Sequence, residues 1–335
     1  MALDGEHCSP FREGTPVATS AHLIVGAGLV GSTTARQLAE RGEQVRIVSR
    51  SGRGPEHPRI ERFAADAVDA DRLSELADGA TAIYNCLNPA YHRWLSDWPP
   101  MADALLTAAE RSGAPLVVTG CLYGYGEVTG AMTEQTPLGA THPKLKVRAD
   151  MWRAALAAQR AGRIRAVTEV RGSDYLQAQS IFSFLLGKPL LAGRRAFVPG
   201  PLDVPHTWTS INDMAAMLIT AATDQRAWNR AWHVPSAAPL TIRELATRFT
   251  EVVGAPAPKL TTIPGPVFRA AGLLSAMLRE FQTTAYQFDR PFVMDSTTAT
   301  ETFGLRHQPL DESLRETAAL LGGLPAATTR RPAAV

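Results

Sequence analysis

Residues 22–50, HLIVGAGLVGSTTARQLAERGEQVRIVSR, decide the fold. They open on Leu23-Ile24-Val25, a short apolar run of the kind that forms a strand buried on both faces. Gly26-Ala27-Gly28-Leu29-Val30-Gly31 follows, a G-x-G-x-x-G. A helical stretch then carries Val30, Ala35 and Leu38 on its apolar side and stops at Arg41-Gly42. A second strand, Val45-Arg46-Ile47-Val48, ends the unit. Strand, glycine turn, helix and strand fill about 30 residues, the length of one βαβ unit.

Each glycine has its own task. Gly26 permits the tight turn, Gly28 lets the backbone approach a pyrophosphate, and Gly31 lets the helix pack close to the strand. The helix start at Leu29 and Val30 offers unpaired N–H groups and partial positive charge to phosphates. The unit therefore reads as a dinucleotide site; the alternative is a glycine turn that only packs tightly. The end of the second strand selects the nucleotide. An acid there holds a ribose 2′-hydroxyl, whereas arginine accommodates a 2′-phosphate. Ser49-Arg50-Ser51-Gly52-Arg53 has two arginines and no acid, so NADPH (NADP) is expected ahead of NADH.

Working outward, 335 residues allow one large or two coupled domains with a real core. A net charge of +2 gives no reason to expect nucleic acid. No apolar run reaches the length of a membrane span, and the N-terminus lacks the pattern of a signal peptide. Cys8, Cys86 and Cys121 make neither a metal spacing nor a disulfide framework. A cytoplasmic enzyme acting on a small molecule is expected; nothing addresses its oligomeric state.

After the first unit, strands are expected at residues 60–65, 81–85, 115–119 and 165–171. Helices are expected between them, at 71–77, 101–112 and 143–161. This alternation predicts an α/β, Rossmann-type, doubly wound parallel sheet. From about residue 173 the rhythm breaks into short Gly- and Pro-rich pieces. Residues 207–211 are expected to return to the sheet, Asn212-Asp213 to cap a helix, and residues 232–234 to add a strand. Thr241 caps a later helix holding Ile242, Leu245 and Phe249. The expected division is a flexible arm (1–20), a dinucleotide domain (21–175, completed by 207–235), a smaller, mainly helical substrate domain (176–206 and 236–322) and a disordered tail (323–335).

Several of these stretches carry a resemblance. GAGLVG stands at the glycine turn, and Asp66-Ala67 follows the third strand. Thr119-Gly120-Cys121-Leu122-Tyr123-Gly124 is similar to a Ser-x-x-x-Tyr-Gly after strand five, and Arg171-Gly172-Ser173-Asp174-Tyr175 follows strand six. The chain resembles an atypical extended short-chain dehydrogenase/reductase of the sugar-epimerase-like branch, over residues 22 to about 322. The resemblance implies hydride transfer between a nicotinamide and a carbonyl carbon, with Asp66 and Ala67 near adenine. Cys86 and Leu87, after strand four, join the expected cofactor contacts. Asp174 and Tyr175 fall where the pattern meets nicotinamide and substrate.

The family's Tyr-x-x-x-Lys departs here. Over THPKLKVRAD (141–150), an alignment that places an acid at Asp150 puts Lys146 at the lysine and His142 at the tyrosine. No tyrosine lies between Tyr125 and Tyr175. Thr119 takes the Ser/Thr position. Lys146 either holds the nicotinamide ribose or is a surface lysine. His142 either donates a proton or caps a turn beside Pro143. Tyr123 and Tyr125 either donate in its place or pack.

Six tryptophans, among them Trp94 and Trp98 at helical spacing, suit a core or a flat aromatic ligand. The expected activity is that of an NADPH-dependent ketoreductase, with an aromatic ketone of angucyclinone-like polyketide type as substrate and antibiotic biosynthesis as context. The proton the missing tyrosine would give comes from the substrate's own phenol, from water or from His142. A nucleotide-sugar epimerase or dehydratase, and a non-catalytic NADP(H) sensor, are the rivals.

Overall fold

The computed structural model describes residues 20–322, apart from residue 179 and residues 275–281. The arm expected up to residue 19 and the tail expected over 323–335 lie outside the described residues. The expected alternation appears as β1 (Ala21–Val25), α1 (Leu29–Glu40), β2 (Gln44–Ser49), β3 (Ile60–Ala64), α2 (Ala70–Ala77) and β4 (Ala80–Asn85). It continues as α3 (Trp94–Ser112), β5 (Leu116–Cys121), α4 (Pro143–Arg160) and β6 (Val167–Gly172).

The sheet has seven strands. A late strand, β10 (Ala231–His233), lies beside β6, and the order is β10-β6-β5-β4-β1-β2-β3. Every neighbouring pair in it is parallel. Successive residues of β1 feed opposite faces, as the pleat requires. Ile24 joins Leu38, Ile47, Tyr84 and Met214 on one side. Leu23 and Val25 join Leu73, Ile83, Leu105 and Trp152 on the other. The chain runs outward from β1 to β3, then crosses back to β4. The crossing opens a crevice at the carboxyl ends of β1 and β4, the place where such sheets bind ligands.

Three expectations about elements are corrected. Helix α3 starts at Trp94 rather than residue 101, with Pro99 and Pro100 inside it. A proline pair removes two backbone donors and reads as a break, yet Trp94 and Trp98 are buried and anchor the early turns. Residues 207–211 do not rejoin the main sheet. Instead β7 (Asp174–Tyr175) pairs in parallel with β9 (Trp208–Thr209) as a separate ribbon. The helix that follows, Ile211–Thr223, is capped by Ser210, whose hydroxyl accepts from Asn212 N at 3.2 Å. Asn212 and Asp213 sit in its first turn, not at its cap.

A further core is built from later segments. The strand β8 (Arg195–Pro199) pairs with β11 (Lys259–Ile263), after the short α5 (Gly187–Leu191). Taking Ile211–Thr223 as α6, α7 (Ile242–Val253) opens on the expected Thr241, with a full capping box to Glu244. Phe182, Leu186, Trp208, Leu245, Phe249 and Leu314 pack together there. Phe182 meets Phe249 edge-on at 5.1 Å.

Candidate active site

A cavity of about 770 Å³ opens along the crevice. Its nucleotide-like end is made by the glycine turn. Gly26 has φ +111°, and a Cβ there would stand 2.5 Å from the Cys86 carbonyl oxygen. A Cβ on Gly31 would collide with the Gly26 carbonyl. Gly28 differs: a Cβ there meets no protein atom within 4 Å. Gly28 precedes α1 without capping it by a side chain, so the first-turn N–H groups at Leu29 and Val30 face the open cavity. The open space at Gly28 and the bare helix start fit a pyrophosphate.

Ser49, Arg50, Ser51 and Arg53 line the same end, as do Asp66, Ala67, Cys86 and Leu87. Ser49 donates to the Arg53 carbonyl at 2.7 Å and so ties the loop to the strand end. Asp66 Oδ1 accepts from Val68 N at 3.2 Å. Arg36, which the sequence reading passed over, joins them from α1. Its signal was spacing: it lies four residues after Ser32 and seven after Leu29, on the face that begins at the glycine turn. Among the described residues, Arg36, Arg50 and Arg53 have no carboxylate partner.

The other end of the cavity corrects the reading of α4. Lys146 is exposed and paired with Asp150 at 2.5 Å; it does not line the cavity. His142 is also outside. It caps α4, its Nδ1 accepting from Lys144 N at 3.3 Å, with Pro143 at the first helical position. The inward pair at the Tyr-x-x-x-Lys spacing is Lys144 and Arg148, both buried. A shift of two residues turns a helix by about 200°, which moves a side chain from one face to the other. The signal was present: 144, 145, 148, 149, 152, 155 and 158 are the buried positions of α4, a helical stripe.

Lys144 Nζ sits 4.6 Å above the Tyr91 ring, and burial pulls its pKa down to about 8. Arg148 lines the cavity. Its Nη2 donates to the Thr119 carbonyl at 2.6 Å, and its guanidinium lies 4.4 Å over the Trp98 ring. Thr119 stands in the carboxyl half of β5 in the cavity wall, where its hydroxyl donates to Cys86 Sγ at 3.6 Å. Burial pushes the Cys86 thiol up to about 12, so it is no nucleophile at neutral pH.

Aromatic rings form one continuous wall. Tyr91 and Trp94 are 4.5 Å apart, Trp94 and Tyr123 6.0 Å, and Trp94 and Trp98 6.2 Å. The Tyr91 hydroxyl donates to that of Tyr123 at 2.6 Å. Burial and the nearby Asp174 hold Tyr123 well above the usual phenol range. Tyr175 also lines the cavity, and burial raises it too. Tyr125 does not. Its hydroxyl is bonded to Arg171 Nη1 and His233 Nε2, each at 2.7 Å, behind the loop that carries Tyr123. Asp174 enters the cavity from β7 with Oδ2 2.9 Å from His206 Nε2. His206 had no signal in the sequence, because ring contacts across three segments place it.

The description of the NAD dependent epimerase/dehydratase family matches residues 22–233. Among solved structures, a dTDP-glucose 4,6-dehydratase from Bacillus anthracis in complex with NAD is similar at 15% identity and a TM-score of 0.72, over 90% of this chain and 96% of that one. A UDP-glucose 4-epimerase with UDP-glucose from Thermotoga maritima matches at 15% and 0.71, over 90% and 98%. A dTDP-glucose 4,6-dehydratase from Streptomyces venezuelae with NAD bound matches at 19% and 0.69, over 90% and 98%. At these identities the likeness shows the fold alone. No curated protein matches this chain by sequence.

Proposed function

The chain belongs to the NAD dependent epimerase/dehydratase family, and from that premise we propose that it is an NADPH-dependent ketoreductase for a bulky aromatic ketone of polyketide type. One observation carries the reading. At the start of α4 this chain has no tyrosine; the buried pair at the Tyr-x-x-x-Lys spacing is Lys144 and Arg148, and Arg148 lines the cavity beside a wall of Tyr91, Trp94, Trp98 and Tyr123. Epimerases and dehydratases must take and return protons at fixed atoms, which needs a placed acid–base group. A ketone reduction needs less from the protein: position, and one proton for the new alkoxide.

NADPH, when bound, would supply a hydride to the carbonyl carbon. Gly26, Gly28, Gly31 and the first turn of α1 would hold its pyrophosphate. Arg36, Arg50 and Arg53 would bracket its 2′-phosphate, with no acid beside them to oppose it. Asp66 and Ala67 would border adenine, and Cys86 and Leu87 the floor between the two halves. Thr119 would donate to the ketone oxygen. The aromatic wall would hold a flat ring in a near-attack position and exclude water. A phenol on the substrate, hydrogen-bonded to the ketone, would release the proton as negative charge develops there.

The test is purified protein, NADPH and a panel of polycyclic aromatic ketones with a phenol beside the carbonyl. Expected are loss of NADPH absorbance and a product heavier by two hydrogens. Conversion of a UDP- or dTDP-sugar, with every ketone untouched, would overturn the reading in favour of a sugar enzyme. Arg50→Ala is expected to weaken NADPH about 10-fold and leave NADH nearly unchanged. An equal loss for both would remove the NADPH assignment.

A further inference from the structure

His206 is 1% exposed, yet it faces the cavity through one neighbour. Its ring lies between Phe288, at 4.8 Å and 7° from parallel, and Phe292, at 5.1 Å. That sandwich fixes the plane of the imidazole and leaves its two nitrogens to find partners at the ring edge. Nδ1 stands 3.2 Å from the Gln287 carbonyl oxygen. A carbonyl only accepts, so Nδ1 carries a hydrogen. Nε2 stands 2.9 Å from Asp174 Oδ2, and this contact also requires a hydrogen between the two atoms.

Wherever that hydrogen sits, Oδ2 is the engaged atom and Asp174 Oδ1 is left with lone pairs only. Among the described residues His206 is the one hydrogen-bond partner of the Asp174 side chain, which lines the cavity beside Tyr123 and Tyr175. An oxygen with lone pairs only, set among aromatic rings, takes a hydroxyl donor and offers nothing to a phosphate, whose oxygens also accept.

We propose that Asp174, oriented by His206, is a recognition residue that accepts a hydrogen bond from a hydroxyl group of the substrate. The proposal rests on the ketoreductase reading and adds to it that the aromatic ketone bears a second hydroxyl, distinct from the one beside its carbonyl. His206 is the positioning residue: it keeps Oδ2 occupied so that Oδ1 is the atom presented.

The experiment measures binding without turnover, by tryptophan quenching of the NADP⁺-loaded protein. The probes are a dihydroxyanthraquinone whose hydroxyls lie away from its carbonyls, and its dimethyl ether. The hydroxy compound is expected to bind about 10-fold more tightly, because the ether leaves Oδ1 unpaired. Asp174→Asn is expected to keep that preference within about threefold, since its amide N–H can donate to Nε2 while its oxygen still accepts. Asp174→Leu is expected to abolish the preference while NADP⁺ affinity holds and the melting temperature falls, because the buried His206 Nε2 loses its partner.

Equal binding of the two probes by the unmodified protein would overturn the proposal, whether or not Asp174→Leu folds. So would an Asp174→Asn variant that loses the preference, or one that loses kcat about 100-fold at unchanged KM, which would mark a proton-transfer role instead. Turnover with NADPH is scored separately on the ketone panel. A hydroxyl preference without any reduction overturns the ketoreductase reading alone; reduction without a preference overturns the hydroxyl site alone. Failure of both probes to bind overturns both.

Discussion

Two lysines and an arginine on one helix decide how the site is read. Lys146 is half-exposed in an i,i+4 pair with Asp150, whereas Lys144 and Arg148 are buried beneath the cavity wall. Lys146→Ala is expected to leave NADPH affinity and turnover within about twofold, and to cost at most about 0.5 kcal/mol of stability in a urea titration. Arg148→Met removes the guanidinium that ties the Thr119 carbonyl to α4. Turnover is expected to fall about 10-fold or more; the reverse ranking of these two variants would restore the Lys146 assignment. The glycines and the strand-end arginines were legible in the sequence because their roles follow from local backbone and charge. Which of two lysines faces inward was not, because Asp150 made a convincing but misplaced anchor. His206 was not legible at all, since Phe288, Phe292 and Asp174 come from distant stretches.

Elements show the same division between local and distant causes. Helix α1 and the turn before it follow from sequence alone, and the two glycines there make opposite predictions. Gly28 has extended backbone, φ −70° and ψ −175°, that any residue adopts, and open space where a Cβ would be. Gly28→Ala is expected to keep its urea midpoint and lose NADPH affinity about 10-fold. Gly31→Ala drives a methyl into the Gly26 carbonyl and is expected to lose about 3 kcal/mol of folding stability by the same titration. Equal effects from both would mean that the turn holds no ligand. Helix α3 was legible only in its second half. Its prolines argue for a break, and what overrides them is the burial of Trp94 and Trp98 against the Arg148 guanidinium. The ribbon of β7 and β9 was hidden for a related reason: two-residue strands carry no period.

Across the whole molecule, the sheet and the later helical core meet through a polar knot. On the helix Leu310–Leu320, Glu316 accepts from Asn212 Nδ2 at 2.9 Å, from Gln308 Nε2 at 2.9 Å and from Gln177 Nε2 at 3.2 Å. Glu316→Ala strands these amides and is expected to cost about 2–3 kcal/mol, seen as a lower melting temperature. Glu316→Gln is expected to recover about half of it. The cavity itself is assembled from residues between Val25 and Phe292, and every pairing in its sheet is parallel, so each joins segments far apart along the chain. Such a topology has a high contact order and folds slowly, because loop closure precedes its reward. A nucleotide pocket spread this way exists only in the finished fold. Its ligand therefore acts as a thermodynamic latch: at about 100 times its Kd it would add about 2.7 kcal/mol against unfolding. In a cell, the level of the dinucleotide would set how long the folded protein lasts as well as how fast it works.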